Sequence, residues 1–199
     1  MINNIKDAER LAYKYFKDKV DKGGNPYMEH LKYVSDNCKS ENAKIVGMLH
    51  DIIEDTDITI SELESELHIN LVESIQRLSR PRDIKYNKYI DNIIKSNDLV
   101  AIEVKMYDLK HNMDITRLKE IRQVDIDRLN KYNKAYKKIK YKYDMLKHNE
   151  YRNNLIDILI KNFIEDNEDN REWLNNRTNE ELEDLKIQMD FIKSHKHWL

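Results

Sequence analysis

Apolar residues recur along this chain at the three- and four-residue spacings of amphipathic helices. Ile5, Ala8, Leu11, Ala12, Tyr15 and Phe16 define a first helix over residues 4–17. Pro26, a good helix-starting residue, opens a second that runs from Tyr27 to Asn37, with Leu31 and Val34 on its apolar side. Glu41 to Ile53 reads as a central helix carrying Ile45, Met48, Leu49, Ile52 and Ile53. Thr59 and Glu62 form a capping box, with Ile58 and Leu63 at the staple positions, so a helix follows over residues 60–67. Leu71, Val72, Ile75 and Leu78 mark a short helix ended by Pro81, and Tyr86, Tyr89, Ile90 and Ile93 mark the next. Residues 98–113 form the most apolar helix. A long one then runs through Ile126, Leu129, Tyr132, Tyr136, Ile139, Tyr143 and Leu146. Two more are expected between residues 151 and 199, separated by the Asn- and Asp-rich stretch 166–179, the second capped by Thr178 with Glu181. With three glycines and two prolines in 199 residues, breakers are scarce, and the pattern predicts an all-α protein.

Composition narrows the function classes. The formal net charge of −2 balances 35 basic against 37 acidic residues, which gives no global footprint for nucleic acid or an anionic membrane. The Lys-Lys-Ile-Lys-Tyr-Lys stretch at 137–142 reads as a solvated helix face. No apolar run approaches the roughly 18 residues of a membrane span. Cys38 is the only cysteine, which excludes an intramolecular disulfide framework and a cysteine-based zinc site and points to the reducing cytoplasm.

Candidate chemistry centres on Gly47-Met-Leu-His-Asp-Ile-Ile-Glu-Asp-Thr56, where His50, Asp51, Glu54 and Asp55 interrupt an apolar run. On a continuous helix Asp51 and Glu54 are three apart and His50 and Glu54 four apart, so all three can face one another across one turn. Acids gathered in an apolar patch need protons or a cation, and a divalent metal answers that need. The His-Asp dipeptide alone is weak, because with 7 His in 199 residues chance yields roughly 0.7 of them. Asp108 lies on the apolar stripe through Ala101 and Val104 and must have a partner, a metal or a nearby Lys. Asn112 shares its face. The Asp21–Tyr27 segment, with Gly23 and Gly24, is either a loop offering backbone N–H groups to phosphate or a plain interhelical connection.

Taken together, Gly-Asn-Pro-Tyr-Met-Glu-His30, Leu-His50-Asp51-Ile-Ile-Glu54-Asp55-Thr and Val-Lys-Met-Tyr-Asp108-Leu-Lys-His-Asn112-Met resemble the HD superfamily of metal-dependent phosphohydrolases. They are most similar to the hydrolase domain of the RelA/SpoT group, whose patterns read G-x-P-Y-x-x-H, L-H-D-x-x-E-D-T and K-x-A-D-x-x-H-N-M. The resemblance covers roughly residues 8–140. It implies an HD-type helical domain over residues 1–146; the helical C-terminal extension over 147–199 shows no catalytic pattern and is a candidate surface for a protein partner or a second copy. The resemblance also implies metal ligands at His30, His50, Asp51 and Asp108, an acidic catalytic pair at Glu54 and Asp55, and a substrate contact at Asn112.

The metal is typically Mn²⁺, and two imidazoles with two carboxylates suit Fe²⁺ or Zn²⁺ as well. Lys22, Arg77, Arg80 and Lys105 are the candidates for neutralising phosphate. The implied substrate is a phosphorylated nucleotide, guanosine 3′,5′-bis(diphosphate) losing its 3′-pyrophosphate. Two alternatives remain open: a nucleotidase or dinucleotide phosphatase of the same superfamily, and a non-hydrolytic nucleotide-binding module. The chain departs from the pattern in having Leu31 where His-Pro is usual, and Tyr107 in place of a small Ala, an aromatic expected to narrow the pocket. No room is left for the synthetase domain of the long bifunctional enzymes.

Overall fold

The computed structural model describes residues 1–194. Among these it holds eleven α-helices, one 3₁₀ turn and no strand, with a single isolated bridge between Val20 and Pro26. The fold is all-α, as the periodicity requires. No helix among the described residues is long and apolar enough to cross a membrane. The chain divides into two compact units, residues 1–143 and 144–199.

The first unit is built around α3, Glu41–Leu49, which packs against α1 (Ile5–Phe16), α2 (Tyr27–Asn37), α6 (Ile69–Leu78) and α8 (Leu99–Asn112). Its buried residues Ala43, Ile45, Val46, Gly47, Met48 and Leu49 go all the way round the helix, the pattern of a central rather than a surface element. Ser40 caps it by accepting from the Ala43 N–H. Gly47 lets α2 approach closely, because a Cβ there would stand 3.1 Å from Ser35 Cα and 3.2 Å from its nitrogen. Gly47→Ala is therefore expected to destabilise the protein by about 1–3 kcal/mol through overpacking, although alanine is the better helix former. Denaturant unfolding is the measurement, and a stability equal to or above wild type would refute the close contact.

Two short helices follow, α4 (Ile52–Asp55) and α5 (Ile60–Glu66), the latter with both halves of the predicted Thr59–Glu62 capping box in place. α7 spans Tyr86–Lys95. The apolar α8 carries one buried carboxylate outside the site, Glu103. It accepts from the Lys39 N–H (2.9 Å) and the Tyr143 hydroxyl (3.3 Å), tying α8 to the α2–α3 turn and to the helix that follows. Tyr107 lies on this side too, beside Glu103 and Cys38, so it does not narrow the cleft as its place next to Asp108 had suggested.

The long helix α9 runs from Gln123 to Asn162, well past the predicted end near Leu146, since nothing between 146 and 162 is a Gly or Pro. The Asn- and Asp-rich stretch is not a plain separator either. Asn167 caps α10 (Glu168–Asn175) inside it, and Thr178 then caps α11 (Asn179–Ser194) with Glu181, as the sequence indicates. Residues 195–199 of the predicted tail lie outside the described residues. The second unit has its own core of Leu155, Ile156, Leu159, Leu174 and Leu182.

Candidate metal centre and catalytic cleft

The helix that carries the His-Asp pair stops where the pair begins. α3 ends at Leu49, His50 keeps helical angles, and Asp51 turns to φ −97°, ψ 2°, the bridge region often found at functional sites. Glu54 and Asp55 then sit on α4 rather than in the turn ahead of the next helix. The expected one-turn alignment of His50, Asp51 and Glu54 is thus replaced by a kink, which brings His50 Nε2 to 3.0 Å from Asp51 Oδ2.

Two other helices add ligand atoms at the same point. From α2, His30 Nε2 lies 3.3 Å from His50 Nε2 and 3.6 Å from Asp51 Oδ2. From α8, Asp108 Oδ1 lies 3.5 Å from His30 Nε2 and 3.8 Å from His50 Nε2. His30, His50 and Asp51 each turn one donor atom into a space within 4.8 Å of one another. The donor chemistry fits a divalent cation: His50 directs Nδ1 at the Gly47 carbonyl (2.8 Å), which holds the proton there and leaves Nε2 with its lone pair facing the cluster.

The electrostatics match such a position. Burial disfavours a charged His50, but the Asp51 and Asp108 carboxylates outweigh it and raise its pKa to about 10. Burial likewise works against ionised Asp51 and Asp108, and the neighbouring His50 and Lys105 still hold both well below the usual carboxylate range. Without a cation, then, the cluster keeps its carboxylates charged by retaining protons on imidazole. His111 is the exception: burial, His30 and Arg117 push its pKa down to about 4.

These signs set a pH profile for the metal-free protein. His50 contributes stability in full below its ordinary value of 6.5, and that contribution is lost as pH rises through about 10. His111 acts oppositely, because below pH 6.5 the unfolded chain takes up a proton that the fold refuses until about pH 4. Asp51 and Asp108 add to the acid loss. Melting in EDTA is expected to peak near neutrality and to fall on both sides; a continued rise to pH 9 would contradict it.

His30, Asp51 and Asp108 form the floor of a cleft of about 530 Å³, while His50 is buried and does not line it. Of the predicted residues, His30, Asp51, Glu54, Asp55, Lys22, Arg80, Lys105, Asp108 and Asn112 line it. Glu54 is held through Oε2 by the Arg80 N–H (3.0 Å). Lys105 reaches the floor but is already bonded to Asp108 Oδ2 at 2.8 Å, and Asn112 donates to Asp108 Oδ1. Asp108 is thus bonded to a nearby Lys, as one of the two sequence readings had it, while its Oδ1 lies 3.5 Å from His30 Nε2. Arg77 does not belong to the cleft: it turns back to Glu73 and Asp98, 3.2 Å from each, because its position on α6 faces the start of α8.

The glycine loop resolves towards the plain alternative. Asp21 consumes its N–H groups, accepting from Gly23 (2.8 Å) and Asn25 (2.9 Å) through Oδ1, while Gly24 N–H bonds the Asp21 carbonyl (3.0 Å). Gly23 is glycine because a Cβ would stand 2.5 Å from the Arg117 carbonyl, and Gly24 because its φ is +87°.

Several lining residues were not among the candidates, although Tyr27 stands at a fixed position of a motif. Tyr27 ends the Gly-Asn-Pro-Tyr motif, and its hydroxyl lies 2.6 Å from Asp51 Oδ2 and 3.0 Å from Asp55 Oδ2, with one proton to share between them. Burial and the two carboxylates raise its pKa far above the ordinary phenol value. Arg117 bonds Asp21 (2.6 Å), and Arg128, Lys131 and Tyr132 enter from α9. Only their position on a helix that folds back over the cleft makes them site residues.

No protein-family model matches the chain. In sequence it is 31% identical over 116 residues, 52% of its length, to the probable guanosine-3′,5′-bis(diphosphate) 3′-pyrophosphohydrolase of Synechocystis sp., and the match spans 15% of that relative. In structure it is similar to a metazoan ortholog of SpoT that hydrolyzes ppGpp and plays a role in starvation responses. The TM-score is 0.57 at 16% identity, over 73% of this chain and 94% of that one. The sequence likeness runs over about half of this chain, and the structural likeness shows a shared helical fold.

Proposed function

We propose that this chain is a metal-dependent phosphohydrolase that removes the 3′-pyrophosphate of guanosine 3′,5′-bis(diphosphate) in the cytoplasm. The observation that carries the reading is the convergence of His30, His50, Asp51 and Asp108 from three separate segments, three of them on the floor of a cleft whose wall holds Glu54, Asp55 and cationic side chains. His30, His50, Asp51 and Asp108 would hold the divalent ion, Mn²⁺ by resemblance. When bound, the ion supplies Lewis-acid polarisation of a phosphate oxygen and lowers the pKa of water.

The chain's own groups do the rest. Glu54, fixed by the Arg80 N–H, accepts the proton of the attacking water. Tyr27 keeps Asp51 and Asp55 apart and aimed by hydrogen-bonding between them. Lys22 and Arg80 offset phosphate charge from opposite elements, the glycine loop and the turn after α6. Because one phosphate does not span both, a substrate with several phosphates is favoured.

The test is a panel of nucleotides with added Mn²⁺, with phosphate and pyrophosphate release measured separately. Pyrophosphate release from guanosine 3′,5′-bis(diphosphate), faster than any release from a nucleoside monophosphate, is expected. Equal or faster turnover of the monophosphate would replace this reading with a nucleotidase, and binding of nucleotide without turnover would replace it with a non-hydrolytic sensor.

A further inference from the structure

Three imidazoles, not two, are connected beneath the cleft, of which only His30 lines it. His30 Nε2 faces His50, Asp51 and Asp108, while its other ring nitrogen, Nδ1, lies 2.7 Å from Nδ1 of His111. At that separation the two nitrogens share a single proton, one ring donating and the other accepting. If His30 is to offer a lone pair at Nε2, its neutral ring must carry its proton on Nδ1. The proton between the rings then belongs to His30, and His111 is the acceptor. His50 obeys the same rule by donating its Nδ1 proton to the Gly47 carbonyl. The main chain of α3 orients one histidine; His30, on α2, has no carbonyl in that position.

We propose that His111 is the positioning residue that fixes the tautomer and ring angle of His30 for a divalent cation. The inference rests on the metal-centre reading given above and adds to it a residue that touches neither cation nor substrate. His111 is built to hold still. It is buried, its ring stacks on Tyr33 with centroids 4.3 Å apart and lies within 27° of the His30 plane, as an in-plane N–H···N bond requires, and Arg117 Nη2 donates to its main-chain carbonyl (3.0 Å). It lies one turn beyond Asp108 on α8, so a single helix supplies both a carboxylate to the cluster and the support for an opposing imidazole. A neutral ring is also the acceptor that costs least here: a carboxylate in its place would add a third negative charge beside Asp51 and Asp108.

The experiment is Mn²⁺ binding to the full chain by calorimetry, with melting in EDTA as the control for folding. His111→Phe keeps a ring against Tyr33 and His30 but removes the acceptor, and is expected to weaken Mn²⁺ by roughly 10–100-fold, with metal-free melting close to wild type. His111→Asn places an amide oxygen near the Nδ1 position and is expected to recover most of that affinity, which a purely space-filling role would not produce. If His111→Phe does not fold, His111→Ala against His111→Asn makes the same comparison. Mn²⁺ binding within about twofold of wild type for the variant lacking the acceptor, or no recovery in the Asn variant, would overturn the inference while leaving the metal centre standing. Wild-type protein that takes up no Mn²⁺ would instead overturn the metal centre, and this inference with it.

Discussion

Glu54→Gln is expected to lower kcat on the order of 10²-fold or more while leaving Mn²⁺ affinity unchanged. The amide is nearly isosteric, and its oxygen can still accept the Arg80 N–H that holds the carboxylate in place at 3.0 Å. What it loses is the ability to take a proton from water. Glu54 is exposed on the cleft wall and contacts none of His30, His50, Asp51 or Asp108, so the donor set is untouched by the change. Single-turnover kinetics with metal content measured on the same samples decide the matter. Turnover near wild type would remove Glu54 from the chemistry and leave Asp55 as the base.

Asp108→Ala has the larger expected effect on the folded state, and it acts on two properties at once. Lys105 and Asp108 form a buried pair at 2.8 Å, with side chains 12% and 6% exposed. Removing the carboxylate strands the ammonium over the Tyr89 ring, 5.0 Å away, and leaves the Asn112 amide without its acceptor. A loss of about 3–5 kcal/mol is expected, the usual consequence of breaking one side of a buried ion pair. Mn²⁺ affinity should fall as well, since Asp108 Oδ1 borders both Nε2 atoms. The double variant Lys105→Met/Asp108→Ala separates the two: it should regain much of the stability and none of the affinity. A double variant that binds Mn²⁺ as tightly as wild type would remove Asp108 from the ligand set.

These variants probe features of unequal legibility. Helix periodicity and capping were local, and local physics carried them: the Thr59–Glu62 and Thr178–Glu181 boxes formed because their partners are three residues apart. Where helices ended was less visible. The break between Leu49 and Ile52 contains no Gly or Pro, and it falls where the buried His50 and the half-buried Asp51 meet groups from other helices at one point. At the C-terminal side the reverse held, and α9 ran on to Asn162, past Leu146 where the apolar periodicity had set its end.

By itself the sequence determined an all-α chain and, through three spaced motifs, which imidazoles and carboxylates to gather and in what order. It determined nothing about which cations face them. Arg77 and Arg80 are indistinguishable in sequence, yet Arg77 pairs with Glu73 and Asp98 while Arg80 lines the cleft. Tyr27 and His111 stand at fixed motif positions, but their roles emerge only from long-range contacts, Tyr27 with Asp51 across 24 positions and His30 with His111 across 81, and Arg117, Arg128 and Lys131 carry no motif at all. The reason is geometric. Spacing along a helix fixes which side chains share a face, but a cluster joined from α2, α3 and α8 depends on how those helices cross, and that is set by the packing of α3 at the centre of the unit.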